Sequence, residues 1–161
     1  ITSVVFHLSK QPQPHLDYGN LRQALAGKEP TPMNIREAVI AIRKQKLPEP
    51  EDLGSAGSFF KNPIITHEHF LTILQQEHKT AAEIPHFETA DGIKIPAAWL
   101  IEQCGWKGKR QGGAQVYEKQ PLVIVNTGNA TAQDIITLAA DITESIAQRF
   151  QITLHPEVNY I

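Results

Sequence analysis

Residues 54–63 (GSAGSFFKNP) concentrate the side chains of this chain that are best suited to binding a polar ligand. A hydroxyl, an ammonium and an amide group lie within five residues of each other, at Ser58, Lys61 and Asn62. Glycine permits positive φ angles and lets a ligand approach the backbone closely. The segment therefore predicts a loop that binds an anionic ligand, and a simple surface connector is the alternative that the spacing leaves open.

Two well-known glycine and serine motifs are absent from this segment. A P-loop requires GxxxxGK[ST], so that backbone N–H groups and a lysine surround the phosphates, and a nucleophile elbow requires GxSxG. Residues 54–63 contain neither pattern. The segment therefore does not predict a nucleotide-triphosphate loop or a hydrolase nucleophile.

Two further segments carry groups for related chemistry. Residues 107–113 (KGKRQGG) place three cations among three glycines, which could hold a phosphorylated small molecule through side chains and backbone N–H groups. A solvated basic loop that leads into a hairpin explains the same residues. Glu157 follows Pro156 among apolar neighbours, where a carboxylate can act in proton transfer. An exposed carboxylate at the end of a strand is the alternative.

The histidines and the single cysteine do not form a metal-binding pattern. His67-Glu68-His69 comes nearest, but side chains two residues apart on a helix do not face each other, and no third ligand is placed by the spacing. Two solvent-facing histidines at the start of a helix explain this motif. Cys104 is the only cysteine, which excludes an intrachain disulfide, and its apolar neighbours at helical spacing predict a position in the core.

The composition narrows the class of partner. A chain of 161 residues predicts one domain, or one domain with part of another. Its net charge of −2 disfavours a nucleic-acid partner, because such proteins usually carry a basic patch, and this argues against a nucleic-acid site at residues 107–110. The apolar runs are far shorter than the roughly 20 residues that span a bilayer, so we expect no membrane partner.

Hydrophobic periodicity predicts the elements that position these groups. Strands are expected over residues 1–8, 63–66, 114–117, 122–125 and 151–154, and helices over residues 31–44, 67–78, 97–105 and 131–150, with a connector at 11–28, a linker at 47–50 and a hairpin turn at 118–121. Phe70, Leu71 and Leu74 form the expected buried side of the second helix, and Thr131 and Asp134 begin the last one. The irregular alternation of strands and helices predicts an α+β fold.

Taken together, these motifs resemble one family, the type I UDP-N-acetylenolpyruvoylglucosamine reductases (MurB), which are flavoenzymes of bacterial peptidoglycan synthesis. The string at residues 54–63 is the most specific part of the resemblance, and the other motifs agree in order and spacing. Those motifs are YGNL at 18–21, KLPEP at 46–50, AWLIEQC at 98–104, KG at 107–108, GGA at 112–114 and PEV at 156–158.

The resemblance implies a domain organisation. Residues 1–46 would be the end of an FAD-binding domain of the type 2, PCMH-like class. Residues 47–151 would be the substrate-binding domain, a small antiparallel sheet packed with helices, and residues 152–161 would return toward the flavin. The chain would then be the C-terminal portion of a longer enzyme, inactive by itself, whose full-length form is a monomer in the bacterial cytoplasm.

The resemblance also implies the reaction and the catalytic residues. Members of the family use FAD and NADPH to reduce the enolpyruvyl double bond of UDP-N-acetylglucosamine-enolpyruvate, which gives UDP-N-acetylmuramate. Ser58 would be the general acid that protonates C2 of the enolpyruvyl group. Glu157 would orient or polarise the anionic intermediate, or relay the proton.

The substrate contacts follow from the same resemblance. Lys46, Asn62, Lys107 and Gln120 match positions that contact the UDP moiety, chiefly its diphosphate, for which a lysine supplies a point charge. Phe87 stands where a substrate-facing tyrosine is expected. Its phenyl ring can pack on the ligand, but it cannot donate a hydrogen bond to a phosphate.

Two other positions bear on the comparison with the family. Ser55 stands where the family usually has asparagine, and Gly57 is the candidate in this chain for a contact with the cofactor. A non-catalytic nucleotide-sugar or anion-binding module of the same fold is the alternative function. The presence of both Ser58 and Glu157 argues against that alternative.

Overall fold

The computed structural model describes residues 1–17 and 19–160, which divide into two units at the boundary between Lys46 and Leu47. The first unit contains helices α1 (Leu21–Leu25) and α2 (Pro32–Lys46). A small apolar cluster packs them together, and its buried members are Leu21, Leu25 and Ala38. The connector expected over residues 11–28 therefore contains a short helix that the sequence pattern did not predict.

Thr31 begins α2 as the sequence predicts. Its Oγ atom accepts a hydrogen bond from the backbone N of Asn34 at 3.2 Å, and Pro32 occupies the first helical position, where no N–H is needed. The helix continues past the expected end at Lys44 and reaches Lys46. Local capping signals thus locate the start of this helix better than its end.

The strand predicted over residues 1–8 is wrong. These residues form no strand in the described part of the chain, and large side chains such as Val4, Val5 and Phe6 are exposed. β-Branched residues favour an extended backbone, but a strand also needs a neighbour that pairs with its N–H and C=O groups. None of the described residues supplies such a neighbour to residues 1–8.

The second unit contains two antiparallel sheets. Its strands are β1 (Gly54–Ser58), β2 (Ile64–Ile65), β3 (Phe87–Thr89), β4 (Gly92–Lys94), β5 (Arg110–Gln111), β6 (Ala114–Val116) and β7 (Val123–Asn126). The four-stranded sheet has the order β1-β7-β6-β5, and the three-stranded sheet has the order β2-β4-β3. The predicted hairpin is confirmed, because β6 and β7 pair directly. The sequence pattern did not predict β3, β4 or β5.

Three helices cover these sheets, and all three were predicted. They are α3 (His67–Glu77), α4 (Ala97–Gln103) and α5 (Ala132–Phe150). Thr66 caps α3 by accepting from the backbone N of His69 at 3.1 Å. At the start of α5, Thr131 and Asp134 form the expected reciprocal cap, and the N–H of Thr131 lowers the pKa of the Asp134 carboxyl. The α+β class is therefore confirmed.

The core lies between the helices and the sheets. Ile142 and Ile146 of α5 are fully buried, as the helical spacing predicts. In α3 the buried residues are Phe70 and Ile73, three positions apart on one face of the helix. Leu71 was expected on that face. It lies instead on the solvent side of the helix and is 59% exposed.

Residues 54–58, expected to form part of a loop, are strand β1. Ser55 pairs with Val125 and Ser58 pairs with Val123 of β7, with a bulge between them. The pairing uses backbone groups alone, so a segment of glycine, serine and alanine can complete a sheet when a partner strand presents its edge. The expectation of a loop was wrong because it rested on side-chain preference alone, whereas the partner strand β7 lies far along the chain.

The strand predicted over residues 151–154 is also wrong. Ile152 and Leu154 are buried, so the alternation of apolar residues correctly indicates which side chains pack in the core. The backbone of residues 151–154 joins no ladder, and pairing occurs only further along, in an isolated bridge between Phe60 and Pro156.

Gly113 lies where the start of β6 passes the turn that leads into α5. A Cβ atom at this position would fall well inside van der Waals contact with the backbone of Asn129 and Ala130. Because backbone atoms cannot move aside as the end of a flexible side chain can, this close packing requires glycine.

We expect Gly113→Ala to lower the free energy of unfolding by about 1–3 kcal/mol, the usual cost of overpacking a packed site. The matched control is Gly54→Ala, because a Cβ at Gly54 meets nothing closer than 3.9 Å, at Asn126. This control should change stability by less than about 1 kcal/mol. Urea denaturation followed by tryptophan fluorescence measures both free energies of unfolding. Equal losses of stability in the two variants would contradict the requirement for glycine at position 113.

Arg149, near the end of α5, joins three helices. Its Nε and Nη2 atoms donate to the two carboxylate oxygens of Glu77 in α3 at 2.9 and 2.6 Å, and its Nη1 donates to the carbonyl of Gln103 in α4. The Glu77 side chain is only 12% exposed. These hydrogen bonds lower the pKa of Glu77 and raise the pKa of Arg149.

Because the pKa of Glu77 is lower in the folded protein than in the unfolded chain, its contribution to stability is fully present above the unfolded value of about 4.3 and is lost as the pH falls through the folded value. At pH 7, Glu77→Gln should lower the free energy of unfolding by about 1–2 kcal/mol. The difference from wild type should shrink in acid.

Urea denaturation at pH 7 and at progressively lower pH tests this. Glu144→Gln is the control, since the exposed Glu144 carboxylate on α5 accepts a hydrogen bond from the neutral amide of Gln148 and forms no ion pair with any described residue. A Glu77→Gln effect that is independent of pH would show that the ion pair is not its cause.

Candidate functional site

Backbone hydrogen bonds on both sides of Phe59 bring Ser58 and Glu157 together. The N–H of Phe59 donates to the carbonyl of Leu122 at 2.8 Å, and the carbonyl of Phe59 accepts from the N–H of Glu157 at 2.8 Å. The chain that leaves β1 is therefore held between the β6–β7 turn and the C-terminal segment. This arrangement fixes the backbone beside both candidate catalytic residues.

Aromatic packing anchors the same stretch. Phe59 and Phe60 are 3% and 1% exposed, and their rings meet edge to face with centroids 5.1 Å apart. Burying each ring contributes roughly 2–3 kcal/mol. A further hydrogen bond, from the N–H of Lys61 to the carbonyl of His155 at 2.9 Å, extends the pairing. Ser58 therefore extends from a well-held segment although its own side chain is exposed.

Ser58 and Glu157 line one cavity. Its volume is about 760 Å³, and it is lined by Ala56, Ser58, Glu157, Val158 and Asn159. Both Ser58 and Glu157 are exposed to solvent there. A residue with a hydroxyl and a residue with a carboxylate thus line the same ligand-sized space, as proton delivery to a bound ligand would require.

Gly57 leaves the backbone next to this cavity open. Its φ is +78°, a conformation that favours glycine, and no atom lies within 4 Å of the place where a Cβ would stand. A flat ring could approach the backbone closely here. The expected cofactor contact at Gly57 stays a prediction, and the residues around it are compatible with one.

Asn62 has a structural role that the sequence pattern did not indicate. Its Oδ1 accepts a hydrogen bond from the N–H of Ala97 at 2.9 Å, at the start of α4. The residue before this helix is Pro96, whose side chain cannot cap it. Among the described residues, the Nδ2 of Asn62 has no hydrogen-bond partner. One end of the amide therefore caps a helix, while the other end can still donate to a ligand.

The basic segment at residues 107–113 is engaged with its own neighbours. Lys107 forms an ion pair with Glu102 at 2.7 Å, in which both side chains are nearly half exposed. The Nζ of Lys109 lies 4.6 Å from the centroid of the Trp106 ring, and Arg110 donates to a nearby backbone carbonyl. The geometry therefore favours a solvated basic loop over a ready-made anion site. The expected contact of Lys107 with substrate remains a prediction.

The other two candidate substrate contacts in the second unit lie on different sheets. Gln120 is in the β6–β7 turn, whose Leu122 holds Phe59, so it lies near the end of β1 that carries Ser58. Phe87 begins β3 of the three-stranded sheet and is 62% exposed. Gln120 thus lies in the turn that bonds to Phe59 but is not one of the residues that line the cavity, and Phe87 lies on an exposed surface of the other sheet.

Lys46 is the last residue of α2 in the first unit, and it is exposed. Tyr18, which begins the YGNL motif, lies outside the described residues. Within residues 1–17 and 19–160, no helix is long and apolar enough to cross a membrane.

The histidines of the HEH motif bond to different partners. The Nε2 of His67 is 3.0 Å from a carboxylate oxygen of Glu88, and that of His69 is 2.8 Å from the carbonyl of Phe150. No cluster of three metal-ligating side chains occurs in the described part of the chain. Cys104 packs against the core as expected, and burial raises the pKa of its thiol.

A family model described as "UDP-N-acetylenolpyruvoylglucosamine reductase, C-terminal domain" matches residues 49–161. The chain belongs to this family. The resemblance seen in the sequence motifs is therefore confirmed, and the match includes β1, the Phe59 pairing and the segment that carries Glu157.

Curated relatives carry the reductase name and are about twice as long. The UDP-N-acetylenolpyruvoylglucosamine reductase of Bacteroides fragilis is 45% identical over 163 residues, which cover 100% of this chain and 48% of that protein. The enzyme of the same name from Porphyromonas gingivalis is 47% identical over 164 residues, covering 100% and 47%. A solved structure of MurB from Thermus caldophilus gives a TM-score of 0.46 at 24% identity, covering 79% of this chain and 33% of that one. The chain thus spans about half the length of the curated relatives that it matches.

The two ends of the Asn62 side chain can be separated by substitution. Asn62→Ala removes the cap of α4 and should lower the free energy of unfolding by about 1 kcal/mol. Asn62→Asp keeps an oxygen acceptor and adds a negative charge that a helix N-terminus favours, so its stability should match wild type. Thermal or urea denaturation checks both, with the exposed Asn129→Ala as the control. Equal losses in the two Asn62 variants would contradict the capping role.

Proposed function

We propose that this chain is the substrate-binding and catalytic portion of a reductase that converts UDP-N-acetylglucosamine-enolpyruvate to UDP-N-acetylmuramate in bacterial peptidoglycan synthesis. One observation carries the proposal: Ser58 and Glu157 line a single open cavity, and backbone pairing through Phe59 holds the chain beside both of them. Since the curated relatives are about twice as long, we propose that this chain carries out only part of their reaction.

Ser58 is the proposed general acid. A serine hydroxyl is a weak acid, so it can protonate C2 of the enolpyruvyl group only when the acceptor carbon has become strongly basic. Glu157 shares the cavity with Ser58 and is the group that can orient the hydroxyl proton or relay a replacement from solvent. N–H and amide donors near the cavity would stabilise the negative charge that develops on the substrate.

FAD and NADPH are part of the proposal. A bound flavin, once reduced by NADPH, supplies the hydride that C3 of the enolpyruvyl group accepts. The open backbone at Gly57 is compatible with a ring that approaches this chain from the cavity side. We propose that residues 1–46 are the end of the cofactor domain, that residues 47–151 bind the substrate, and that residues 152–161 carry Glu157 toward the flavin.

The UDP moiety is proposed to lie along the segment that leads from Ser58 to Asn62. The Nδ2 of Asn62 is available to it, Gln120 lies in the turn that bonds to Phe59, and the exposed ring of Phe87 offers a surface for packing. Lys107 can reach the diphosphate only by leaving Glu102. An exposed pair is worth about 0–1 kcal/mol, so that exchange costs little.

The remaining features follow from the same proposal. Lys46 is a candidate contact from the resemblance alone. The full-length enzyme would act as a monomer in the bacterial cytoplasm, with a nucleotide sugar as its partner and neither nucleic acid nor membrane. The net charge of −2 is consistent with this choice of partner.

The test is Ser58→Ala in the full-length protein, followed by flavin absorbance in single-turnover experiments. NADPH should reduce the flavin as in wild type, while re-oxidation by UDP-N-acetylglucosamine-enolpyruvate should slow by about 10²–10⁴-fold, the usual share of a general acid. The control is Ser55→Ala, which makes the same change in the same strand at an exposed residue that does not line the cavity.

Re-oxidation at the wild-type rate in Ser58→Ala would remove Ser58 as the acid. Binding of the nucleotide sugar by a wild-type protein that never oxidises a flavin with it would instead identify the alternative, a non-catalytic binding module.

A further inference from the structure

Two backbone hydrogen bonds set the register between the chain that leaves β1 and the C-terminal segment. The N–H of Lys61 donates to the carbonyl of His155 at 2.9 Å, and the N–H of Glu157 donates to the carbonyl of Phe59 at 2.8 Å. In an antiparallel pair, bonds at these positions place Lys61 opposite His155 and Phe59 opposite Glu157. His155 and Glu157 therefore lie two residues apart on the same face of this short ladder.

The packing on the other face supports this register. Phe60 and Pro156 form the isolated bridge between the two segments. Together with Leu154, they line an apolar groove against α5. Residues that alternate with them in the C-terminal segment, which are His155 and Glu157, therefore point away from α5. The charged side chains of α5 thus lie across the segment from His155.

His155 lies between solvent and the cavity. Its side chain is exposed, and within the described residues its imidazole has no hydrogen-bond or ionic partner. Glu157, which lines the cavity with Ser58, follows about 7 Å further along the same face. An imidazole and a carboxylate can close such a gap directly or through one water molecule. Histidine is also the side chain that most readily takes up and releases a proton near neutral pH.

Lys61 is the charged group that faces His155 from the neighbouring segment. Its side chain is exposed, and its ammonium group has no carboxylate partner among the described residues. In the observed register Lys61 lies diagonally across from Glu157, at a separation that long side chains can span. The ammonium group can therefore attract the carboxylate of Glu157 toward the side of the ladder on which the imidazole lies.

The proposed reaction consumes one proton in each turnover. When the hydroxyl of Ser58 gives its proton to C2 of the substrate, its oxygen must receive another proton before the next turnover. Glu157 can supply that proton only if its carboxylate is itself protonated again. A group that takes protons from solvent and reaches Glu157 is therefore needed beside the cavity.

We propose that His155 is the residue through which Glu157 receives its proton from solvent. This inference rests on the proposed function. A proton passes from the imidazolium of His155 to the carboxylate of Glu157, and from Glu157 to the oxygen of Ser58 as the hydroxyl proton moves to C2. The neutral imidazole then takes a proton from water, so each turnover moves one proton from solvent to the product. His155 acts through Glu157 and is a positioning residue, which does not touch the substrate.

The test is His155→Gln in the full-length protein, which keeps a polar side chain and removes the proton exchange. Reduction of the flavin by NADPH should match wild type. In steady-state turnover with UDP-N-acetylglucosamine-enolpyruvate, kcat should fall about ten- to a hundredfold, less than for loss of the acid itself, because water still reaches Glu157. The KM for the enolpyruvyl substrate should stay unchanged.

Imidazole added to the assay replaces the missing group. It should restore most of the kcat of His155→Gln and leave wild type unchanged, a response that a merely structural role would not give. His78→Gln is the matched control, because His78 is an exposed histidine at the end of α3. Gln151 adopts the same left-handed conformation at the end of α5, so glutamine fits this position. The control should keep the wild-type kcat with and without imidazole.

A double variant tests whether the two groups act in series. Glu157→Gln should slow turnover, and adding His155→Gln to it should cause no further loss, because the effects of residues that act as a unit do not multiply. Losses that multiply would overturn the inference. A wild-type kcat in His155→Gln would also overturn it, as would a loss of kcat that imidazole does not restore.

Further outcomes separate this inference from the proposed function. A wild-type enzyme that does not reduce the enolpyruvyl substrate would refute both. A wild-type enzyme that turns over, slows in Ser58→Ala and keeps its full kcat in His155→Gln would refute the role of His155 alone.

Discussion

The pairing of Phe59 with two distant parts of the chain is the interaction on which the candidate site depends. Its N–H reaches Leu122 and its carbonyl reaches Glu157. Because Phe59 is buried, leaving its N–H or its carbonyl without a partner would cost on the order of 1–3 kcal/mol. Both hydrogen bonds are therefore strongly favoured in the folded chain. The main-chain groups thus hold the backbone beside the two candidate catalytic residues, Ser58 and Glu157, whose side chains are exposed to solvent.

The fold shows which sequence signals are local and which are not. Helices α3 and α5 were predictable because their caps and helical spacing act within a few residues, and α4 was predictable from its helical spacing although its cap, Asn62, lies far away in the sequence. Strand β1 was not, because glycine, serine and alanine have little strand preference and its partner β7 lies far along the chain. Residues 1–8 are the opposite case. Their side chains prefer a strand, but no described residue pairs with them.

The candidate site likewise depends partly on local sequence signals and partly on contacts that only the fold shows. Residue types and motifs singled out Ser58 and Glu157, but only the fold shows that they share a cavity. The partners of Asn62 and Lys107 change what each can do, and neither partner could be identified from spacing.

The unusual composition of β1 follows from where it lies. As the edge strand of the four-stranded sheet, it borders the cavity on one side and β7 on the other. Large side chains at Ala56 or Gly57 would add packing but would fill the space that a ligand needs. The strand therefore relies on its ladder to β7 and on the two buried phenylalanines that follow it. Stability is supplied next to the site, which leaves the site itself open.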